Sequence, residues 1–275
     1  SARDNSVLAI DTETGVELWQ FFADGPIRFA PVAGQERVLF GSDDGYFYCV
    51  KASSGELVWK FKAVPSDRRV LGNSRLISVW PVRGGPVLKD GNVYFAAGVW
   101  PLEGVFVYCL DAASGKVLWL NDSTSYLYGD HPHGTEGFGG LAPQGYLLID
   151  GEDLIVPCSN AYPAYFDLAT GKLKSFKLPS AGRKPGGWFA STPAEKERDK
   201  LKRRGLLFDK EVNAKRHEDK PRSEGLPAIR STISVNDRDF KFSDGLQSVE
   251  GEIYTMLAAD NKLFAVTVQG GIYCF

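Results

Sequence analysis

The sequence has few of the residues that most often carry catalysis or bind metals. Three histidines occur in 275 residues, and the four cysteines form neither a CxxC motif nor a vicinal pair. Haem attachment through CxxCH and cysteine-based zinc sites therefore lack support. The fingerprints of nucleophile-elbow hydrolases, zinc peptidases, phosphate-binding loops and dinucleotide-binding folds are also missing. These absences argue against the enzyme classes that a short motif identifies.

An excess of one charge and long apolar runs are missing as well. The 32 basic and 34 acidic residues give a net charge of −2, whereas a non-specific nucleic-acid surface needs a marked basic excess. No apolar run approaches the roughly 18 residues of a membrane-spanning helix. There is no initiator methionine and no signal-peptide pattern at Ser1, so we expect a processed or trimmed N-terminus.

What the sequence does contain is a repeated strand–turn–strand segment. The first copy, VLAIDTETGVELW, ends at Trp19, and later copies end at Trp59 and Trp119. A degenerate copy ends at Phe176, and a fifth breaks off in IYCF at the C-terminus. Asp and Gly suit the turn, because Asp bonds its own downstream backbone and Gly accepts a positive φ. The repeat therefore predicts a fold built from copies of one hairpin unit.

Three cysteines share one position in this repeat. Cys49, Cys109 and Cys274 each follow a tyrosine, and the first copy has Ala9 there. A residue type that alternates with alanine is expected to be a small core residue, and we predict buried free thiols. Copies of one strand position lie in different sheets, too far apart for a disulfide.

The strand pattern predicts a β-propeller. Four short strands joined by polar turns lie within residues 27–63, as in one propeller blade. The pattern returns within residues 80–121 and 139–178, and an incomplete copy ends the chain at residues 252–275. We expect a single propeller module over residues 1–275, with few blades or a partial ring, that belongs to a larger chain.

Three insertions interrupt the predicted blades. Residues 64–79 and 122–138 precede the second and third blades, and a longer insertion spans residues 179–245. Within the long insertion, the segment Thr192-Pro-Ala-Glu is a capping box that predicts a charged helix over residues 193–204.

The pattern D-x-x-[ST]-G-x-x-x-W between two apolar strands resembles the tryptophan-docking repeat of quinoprotein-type propellers. These occur in alcohol dehydrogenases that depend on pyrroloquinoline quinone (PQQ), and in an outer-membrane assembly lipoprotein without the cofactor. The segments LISVWPVRGGPVL and LAPQGYLLIDGEDLIVPCSNAYPAYFDLATGKL also resemble PQQ-like propeller modules of large planctomycete-type bacterial proteins. The residues that carry the repeat match are Asp11, Gly15, Trp19, Gly55, Trp59, Asp111, Gly115, Trp119, Asp167 and Gly171.

The resemblance implies a quinoprotein-like all-β fold and a periplasmic or extracellular location. It implies a docking role for Trp19, Trp59 and Trp119, in which a large side chain of one blade fills the gap to the next. The family's dehydrogenases use a calcium-bound quinone, an Asp base and a vicinal disulfide. Because this chain lacks the cysteine pair and a matching acidic motif, PQQ and calcium are unsupported, and we expect no cofactor.

One polar cluster suggests a metal. His131 and His133 stand two residues apart, with Asp130 and Glu136 on either side. Imidazole and carboxylate groups in a glycine-rich loop can hold a transition metal. The alternative is that the cluster only orders the loop.

A second set of candidates comprises aromatic residues outside the repeated docking position. Exposed aromatics with neighbouring arginines can bind a glycan or a peptide. The alternative is that they pack the insertions onto the blades. The candidate ligand-binding residues are Trp80, Arg83, Trp100, Tyr162 and Trp188.

The leading functional prediction is a non-catalytic binding or scaffold module. The copies of the repeat share their docking residues and differ in their insertions, so the insertions are expected to recognise a protein or glycan partner. Other domains of the same parent chain are expected partners too. The alternatives are a PQQ-dependent oxidoreductase module and a metal-binding module at His131 and His133.

Overall fold

The computed structural model of the chain describes residues 3–72, 74–131, 135–158, 162–178, 232–235, 238–241, 249–251, 253–259 and 262–275. In these residues the secondary structure is β-strand, apart from one turn of 3₁₀-helix at Pro101–Glu103. None of their helical structure is long and apolar enough to cross a membrane. The chain divides into two compact units, Ser1–Thr192 and Pro193–Phe275.

The first unit begins with half a blade and one complete blade. Strands β1 (Ser6–Ile10) and β2 (Glu17–Phe22) form an antiparallel hairpin. Blade I is a four-stranded antiparallel sheet in sequence order. Its strands are β3 (Val32–Gly34), β4 (Arg37–Gly41), β5 (Tyr46–Lys51) and β6 (Leu57–Lys62). A separate hairpin follows, formed by β7 (Arg69–Gly72) and β8 (Arg75–Ser78).

Two further blades complete this unit, and a second hairpin separates them. Blade II consists of β9 (Gly84–Lys89), β10 (Asn92–Ala97), β11 (Phe106–Asp111) and β12 (Val117–Asn121). The hairpin consists of β13 (Leu127–Asp130) and β14 (Glu136–Gly139). Then β15 (Gly145–Tyr146) pairs in parallel with β9. Blade III consists of β16 (Leu148–Asp150), β17 (Asp153–Val156), β18 (Ala164–Asp167) and β19 (Leu173–Ser175).

The second unit contains two sheets. One is the hairpin of β20 (Thr232–Val235) and β21 (Arg238–Lys241). The other is a three-stranded antiparallel sheet of β22 (Ile253–Ala259), β23 (Lys262–Thr267) and β24 (Ile272–Cys274). This sheet corresponds to the incomplete copy predicted at the end of the chain.

The predicted fold class is confirmed: the chain is all-β and built from four-stranded antiparallel propeller blades. The predicted insertions at residues 64–79 and 122–138 are ordered as two-stranded hairpins, which we call the insertion hairpins. Most of the long insertion at residues 179–245, including the predicted helix at 193–204, lies outside the described residues. That helix and the single-module assignment remain predictions.

The core is formed by the inner strands of neighbouring blades. Phe47 of β5 stacks on Phe95 of β10 with ring centroids 3.9 Å apart, and both side chains are fully buried. Aromatic pairs of this kind stabilise beyond the area they bury. Adjacent blades therefore share their apolar faces instead of packing only within themselves.

The cysteine prediction is correct for two copies and wrong for one. Cys49 and Cys109 are buried free thiols, and burial raises the pKa of each to about 11. They pair across the sheet with Trp59 and Trp119. Cys274 is exposed, because β24 is the outermost strand of its sheet and no described strand pairs with its other side.

The repeated turn has its own internal bonds. Asp111 accepts hydrogen bonds from the backbone N–H and the hydroxyl of Ser114, at 2.7 and 2.5 Å. These bonds lower the pKa of Asp111. Asp167 makes the same two bonds with Thr170, and its pKa is lowered likewise. In the second copy Lys51 replaces the Asp and pairs instead with Glu56, at 2.5 Å.

Each repeated tryptophan lies against the turn of the next blade. The indole N–H of Trp19 donates to the carbonyl of Ala52 at 2.8 Å, and a Cβ built on Gly55 would lie 2.6 Å from Trp19 Cε3. The indole N–H of Trp59 likewise donates to the carbonyl of Ala112, and a Cβ built on Gly115 would collide with the Trp59 ring. Only glycine leaves room for the indole face at such a distance.

Trp119 repeats this arrangement on blade III. Its N–H donates to the carbonyl of Leu168 at 3.1 Å, and a Cβ on Gly171 would lie 2.4 Å from its ring. The three contacts join the first hairpin to blade I, blade I to blade II, and blade II to blade III.

Replacing a docking glycine is expected to destabilise the protein only where an indole covers it. Gly55 and Gly15 have the same backbone conformation, with φ of 69° and 71°, and no described residue lies within 4 Å of a Cβ on Gly15. Gly55→Asn should therefore unfold more easily than Gly15→Asn by about 1–3 kcal/mol, the usual cost of overpacking. Urea denaturation followed by tryptophan fluorescence measures the difference.

The Gly15→Asn variant is the matched control, because asparagine meets the same left-handed backbone at both positions. Equal free energies of unfolding for the two variants would show that the indole contact contributes nothing to stability.

Candidate functional site: the insertion face

The strand order separates the turns of each blade into two groups. In an antiparallel sheet with strands in sequence order, the first and third turns lie at one end and the second turn at the other. The glycine turns that contact the tryptophans are third turns. The second turns, at residues 42–45 and 98–105, therefore share the opposite end with the links between blades. We call this end, which carries both insertion hairpins, the insertion face.

Hydrogen bonds join the second turns to these links. Ser78 N–H donates to the carbonyl of Asp43 at 2.7 Å, and Val82 N–H donates to the carbonyl of Ser42 at 3.1 Å. Further along, Val105 N–H donates to the hydroxyl of Ser125 at 2.8 Å. The links are thus fixed to the blades at several points.

A buried carboxylate holds the second turn of blade I. The side chain of Asp43 is fully buried and bonded by two guanidinium groups. Arg28 Nε lies 2.5 Å from one oxygen, while Arg83 donates through Nε and Nη2, each at 2.9 Å. A buried carboxylate of this kind requires such partners, because an unpaired charge in the interior is costly. The cluster joins the first strand regions of blades I and II to the turn.

The neighbouring Asp44 belongs to a second polar group. Its carboxylate accepts hydrogen bonds from the Tyr48 hydroxyl at 2.5 Å and from the Tyr46 backbone N–H at 2.8 Å. Burial raises the pKa of Asp44, although the bond from Tyr48 partly opposes this effect. Burial and the adjacent carboxylate also raise the pKa of Tyr48. Lys60 lies over the Tyr46 ring, 4.1 Å from its centroid.

Eight large, exposed apolar side chains lie on the insertion face. They project from both insertion hairpins, from the 3₁₀ turn and from the second turn of blade III, and between 41% and 72% of each is exposed. They are Leu71, Leu76, Trp100, Leu102, Tyr126, Tyr128, Phe138 and Tyr162. Within the second hairpin, Tyr128 and Phe138 pack edge to face with centroids 5.2 Å apart. The Tyr126 hydroxyl donates to the carbonyl of Leu102 at 3.0 Å.

The structure separates the predicted ligand-binding residues into two groups. Trp80 is buried, donates its indole N–H to the carbonyl of Glu103 and lies under the guanidinium of Arg68. Arg83 is engaged by Asp43. Trp100 and Tyr162 are exposed on the insertion face. Trp188 lies outside the described residues.

Sequence reasoning selected Arg83 as a candidate but missed its partner Asp43 and the other polar residues of this face. Asp43 and Asp44 belong to one of the polar turns predicted within residues 27–63, and nothing near them in the sequence indicated that their side chains are buried. Arg28 and Arg83, which neutralise Asp43, come from other strand regions. The exposed Leu71, Leu76 and Phe138 were missed too.

Of the two predicted metal residues, the structure describes His131, which follows β13 of the second insertion hairpin. His131 Nε2 is 3.2 Å from the carbonyl of Gly137, and the His131 N–H donates to the carbonyl of Thr135 at 2.7 Å. Asp130 and Glu136 are paired across the hairpin. His133 lies outside the described residues, and the part of the chain that is described contains no group of three His, Cys, Asp or Glu suited to a metal. The metal site remains a prediction.

Comparisons with known proteins point to one family. A family model described as PQQ_2, outer membrane protein assembly factor BamB, matches residues 3–175, which is more than half of the chain. The tetrathionate hydrolase of Acidithiobacillus ferrooxidans is 25% identical over 115 residues, covering 42% of this chain and 19% of the hydrolase.

One further curated protein and one solved structure are also similar to parts of the chain. The dehydrogenase subunit of the quinone alcohol dehydrogenase of Gluconacetobacter polyoxogenes is 30% identical over 124 residues, covering 40% of this chain and 16% of the subunit. The crystal structure of BamB from Moraxella catarrhalis aligns with a TM-score of 0.47 at 13% identity, covering 99% of this chain and 67% of that one. The chain thus spans less than a fifth of the length of the tetrathionate hydrolase and of the dehydrogenase subunit.

The burial of Asp44 predicts a pH dependence of stability. Because its pKa in the folded protein is raised above the ordinary 3.8, the stability tied to its protonated form is fully present below that value. It is lost as the pH rises through the raised pKa. Asp44→Asn cannot titrate at this position. As the pH rises through the raised pKa of Asp44, the free energy of unfolding of the variant should therefore increase relative to that of the wild type. At higher pH the difference between the two proteins should stay constant. Urea denaturation from about pH 3.5 to about pH 7 measures the difference.

Asp67→Asn provides a control of opposite sign. A hydrogen bond from Lys62 lowers the pKa of Asp67, so its contribution is lost as the pH falls. A pH-independent difference between Asp44→Asn and the wild type would contradict the assignment of a raised pKa to Asp44.

Proposed function

Because the chain belongs to the PQQ-repeat family described as outer membrane protein assembly factor BamB, we propose that it is a non-catalytic binding module that recognises a protein partner. The insertion face is the proposed recognition surface. The observation that carries this proposal is the presence of eight large, exposed apolar side chains on that face, four of them aromatic residues of its hairpins and 3₁₀ turn.

The composition of this surface suits a protein partner. Aromatic residues are enriched in the buried centres of protein interfaces, and a few of them supply most of the binding energy. Trp100, Tyr126, Tyr128 and Phe138 are of this type. Tyr128 and Phe138 also pack against each other, and exposed apolar side chains that adjoin one another are a feature of interaction sites.

The surface is also held in shape before binding. The 3₁₀ turn that carries Trp100 and Leu102 is bound by the indole of Trp80, by an ion pair between Arg68 and Glu103, and by the hydroxyl of Tyr126. A preorganised surface loses less conformational entropy on binding. These contacts therefore favour recognition by a fixed surface.

The second candidate is a quinone-dependent oxidoreductase module. Its support is the 30% identity with a quinone alcohol dehydrogenase subunit. The residues present do not fit a calcium–quinone site: the sequence has no vicinal cysteine pair, and the described residues hold no group of three His, Cys, Asp or Glu that could bind a metal ion. We derive no catalytic step through that cofactor.

The location and the wider architecture follow as part of the proposal. The family description refers to outer-membrane assembly, which favours a periplasmic or extracellular location. The short coverage of the curated relatives fits a module that works beside other domains of a parent chain.

Peptide and glycan arrays test the recognition surface. Peptide ligands selected by the wild-type protein should bind Trp100→Ala and Phe138→Ala at least about tenfold more weakly, the loss typical of an interface hot spot. Both side chains are exposed, so the melting temperatures should stay close to that of the wild type.

Leu118→Ala is the matched control, because Leu118 is 50% exposed on β12, away from the insertion face. It should bind as the wild type does. Equal losses in all three variants, or the selection of glycans alone, would contradict the proposal. A spectral change of PQQ on mixing with the protein and calcium would favour the second candidate.

A further inference from the structure

The interface between blades has two chemically distinct halves. The donor half is the outer strand of one blade, which presents a tryptophan and, in the first two interfaces, a phenylalanine two residues later; the third interface has Asn121 there. The acceptor half belongs to the next blade and presents the turn glycine, a turn carbonyl and, in blades I and II, a tyrosine; blade III has Ala164 at that position. Phe21 meets Tyr48 edge to face at 5.6 Å, and Phe61 meets Tyr108 in the same way at 5.2 Å.

The first hairpin carries both halves. Its donor residues, Trp19 and Phe21, are covered by blade I. On its opposite face, Leu8 occupies the acceptor tyrosine position, because Leu8 precedes Ala9 as Tyr48 precedes Cys49. Ala9 pairs with Trp19 just as Cys49 pairs with Trp59.

No described residue covers this acceptor half. Tyr48 and Tyr108 are 2% and 6% exposed, whereas Leu8 is 43% exposed. A Cβ built on Gly55 or Gly115 would meet an indole within 2.8 Å, but no described residue comes within 4 Å of one built on Gly15. The acceptor carbonyl equivalent to that of Ala52 is that of Thr12, for which the described residues provide no donor.

A further apolar residue adjoins this half. Phe22, three residues after Trp19, is 62% exposed. The equivalent positions after the next two tryptophans are Lys62 and Asp122, which are charged. An exposed phenylalanine where the internal blades use charge is what a contact surface requires.

We propose that the acceptor half of the first hairpin, formed by Leu8, Thr12, Gly15 and Phe22, binds a β-hairpin of another polypeptide that presents the pattern Trp-x-Phe-x-Ala. The structure itself defines this ligand chemistry. The pattern occurs at residues 19–23 and 59–63, and in both places it covers an acceptor half of the same construction. The indole would lie on Gly15 and donate to the Thr12 carbonyl, while the phenylalanine would contact Leu8.

The centre of this surface lies apart from the insertion face. The glycine turns lie at the opposite end of the blades from the insertion hairpins. Arg75 of the first insertion hairpin donates to Asn5 next to β1, but the glycine turn itself can be probed separately from the insertion face.

The test uses a hairpin peptide with the sequence of residues 46–63, in which Cys49 is replaced by alanine as in the first copy of the repeat. Titration into the isotope-labelled full chain should shift the backbone amide signals of Leu8, Thr12 and Gly15. The same peptide carrying Trp59→Ala should bind at least tenfold more weakly.

The protein variant Gly15→Asn should also bind the peptide at least tenfold more weakly, because its side chain occupies the place of the indole. Its fold is checked by its melting temperature, and Leu8→Ser, on an exposed side chain, provides a second variant that should weaken binding. Unchanged affinity in Gly15→Asn would overturn the proposal. So would shifts confined to the insertion face, or no shifts at millimolar peptide.

Discussion

The structure depends on one contact, in which an indole ring lies flat on a glycine of the next blade and donates its N–H to a carbonyl of the same turn. A single blade cannot bury both of its faces, so a stable propeller needs a repeatable way to join blades. The contact combines a large buried apolar area with a directional hydrogen bond. It fixes both the distance and the angle between successive sheets, which explains why tryptophan and glycine recur together.

Confining the docking chemistry to one end of the blades leaves the other end free to vary. The insertion hairpins and the 3₁₀ turn lie at that free end and are fastened by individual bonds, such as those of Ser78 with the Asp43 carbonyl and of Trp80 with the Glu103 carbonyl. Because these bonds do not repeat, each link can carry a different surface. The fold and the proposed recognition surface are therefore determined by different residues of the chain.

The sequence was sufficient to predict the fold, because a contact required at every blade leaves the same residues at the same spacing. Asp111, Gly115 and Trp119 are recognisable for this reason. The insertion face is different. The burial of Asp43 depends on arginines 15 and 40 positions away, and the exposure of Leu71 or Phe138 depends on which face of a short hairpin meets the blades. Such features are set by tertiary packing, and a single sequence does not record them.

The most direct test of this account is a double-mutant cycle on one docking contact. Trp59→Ala should lower the free energy of unfolding by about 3–5 kcal/mol, and Gly115→Asn should lower it as well, since its side chain would collide with the Trp59 ring. If the two residues act through one contact, Gly115→Asn should cost almost nothing once Trp59 has been removed. Additive losses, with the glycine substitution equally costly in both backgrounds, would contradict the central role of the indole–glycine contact.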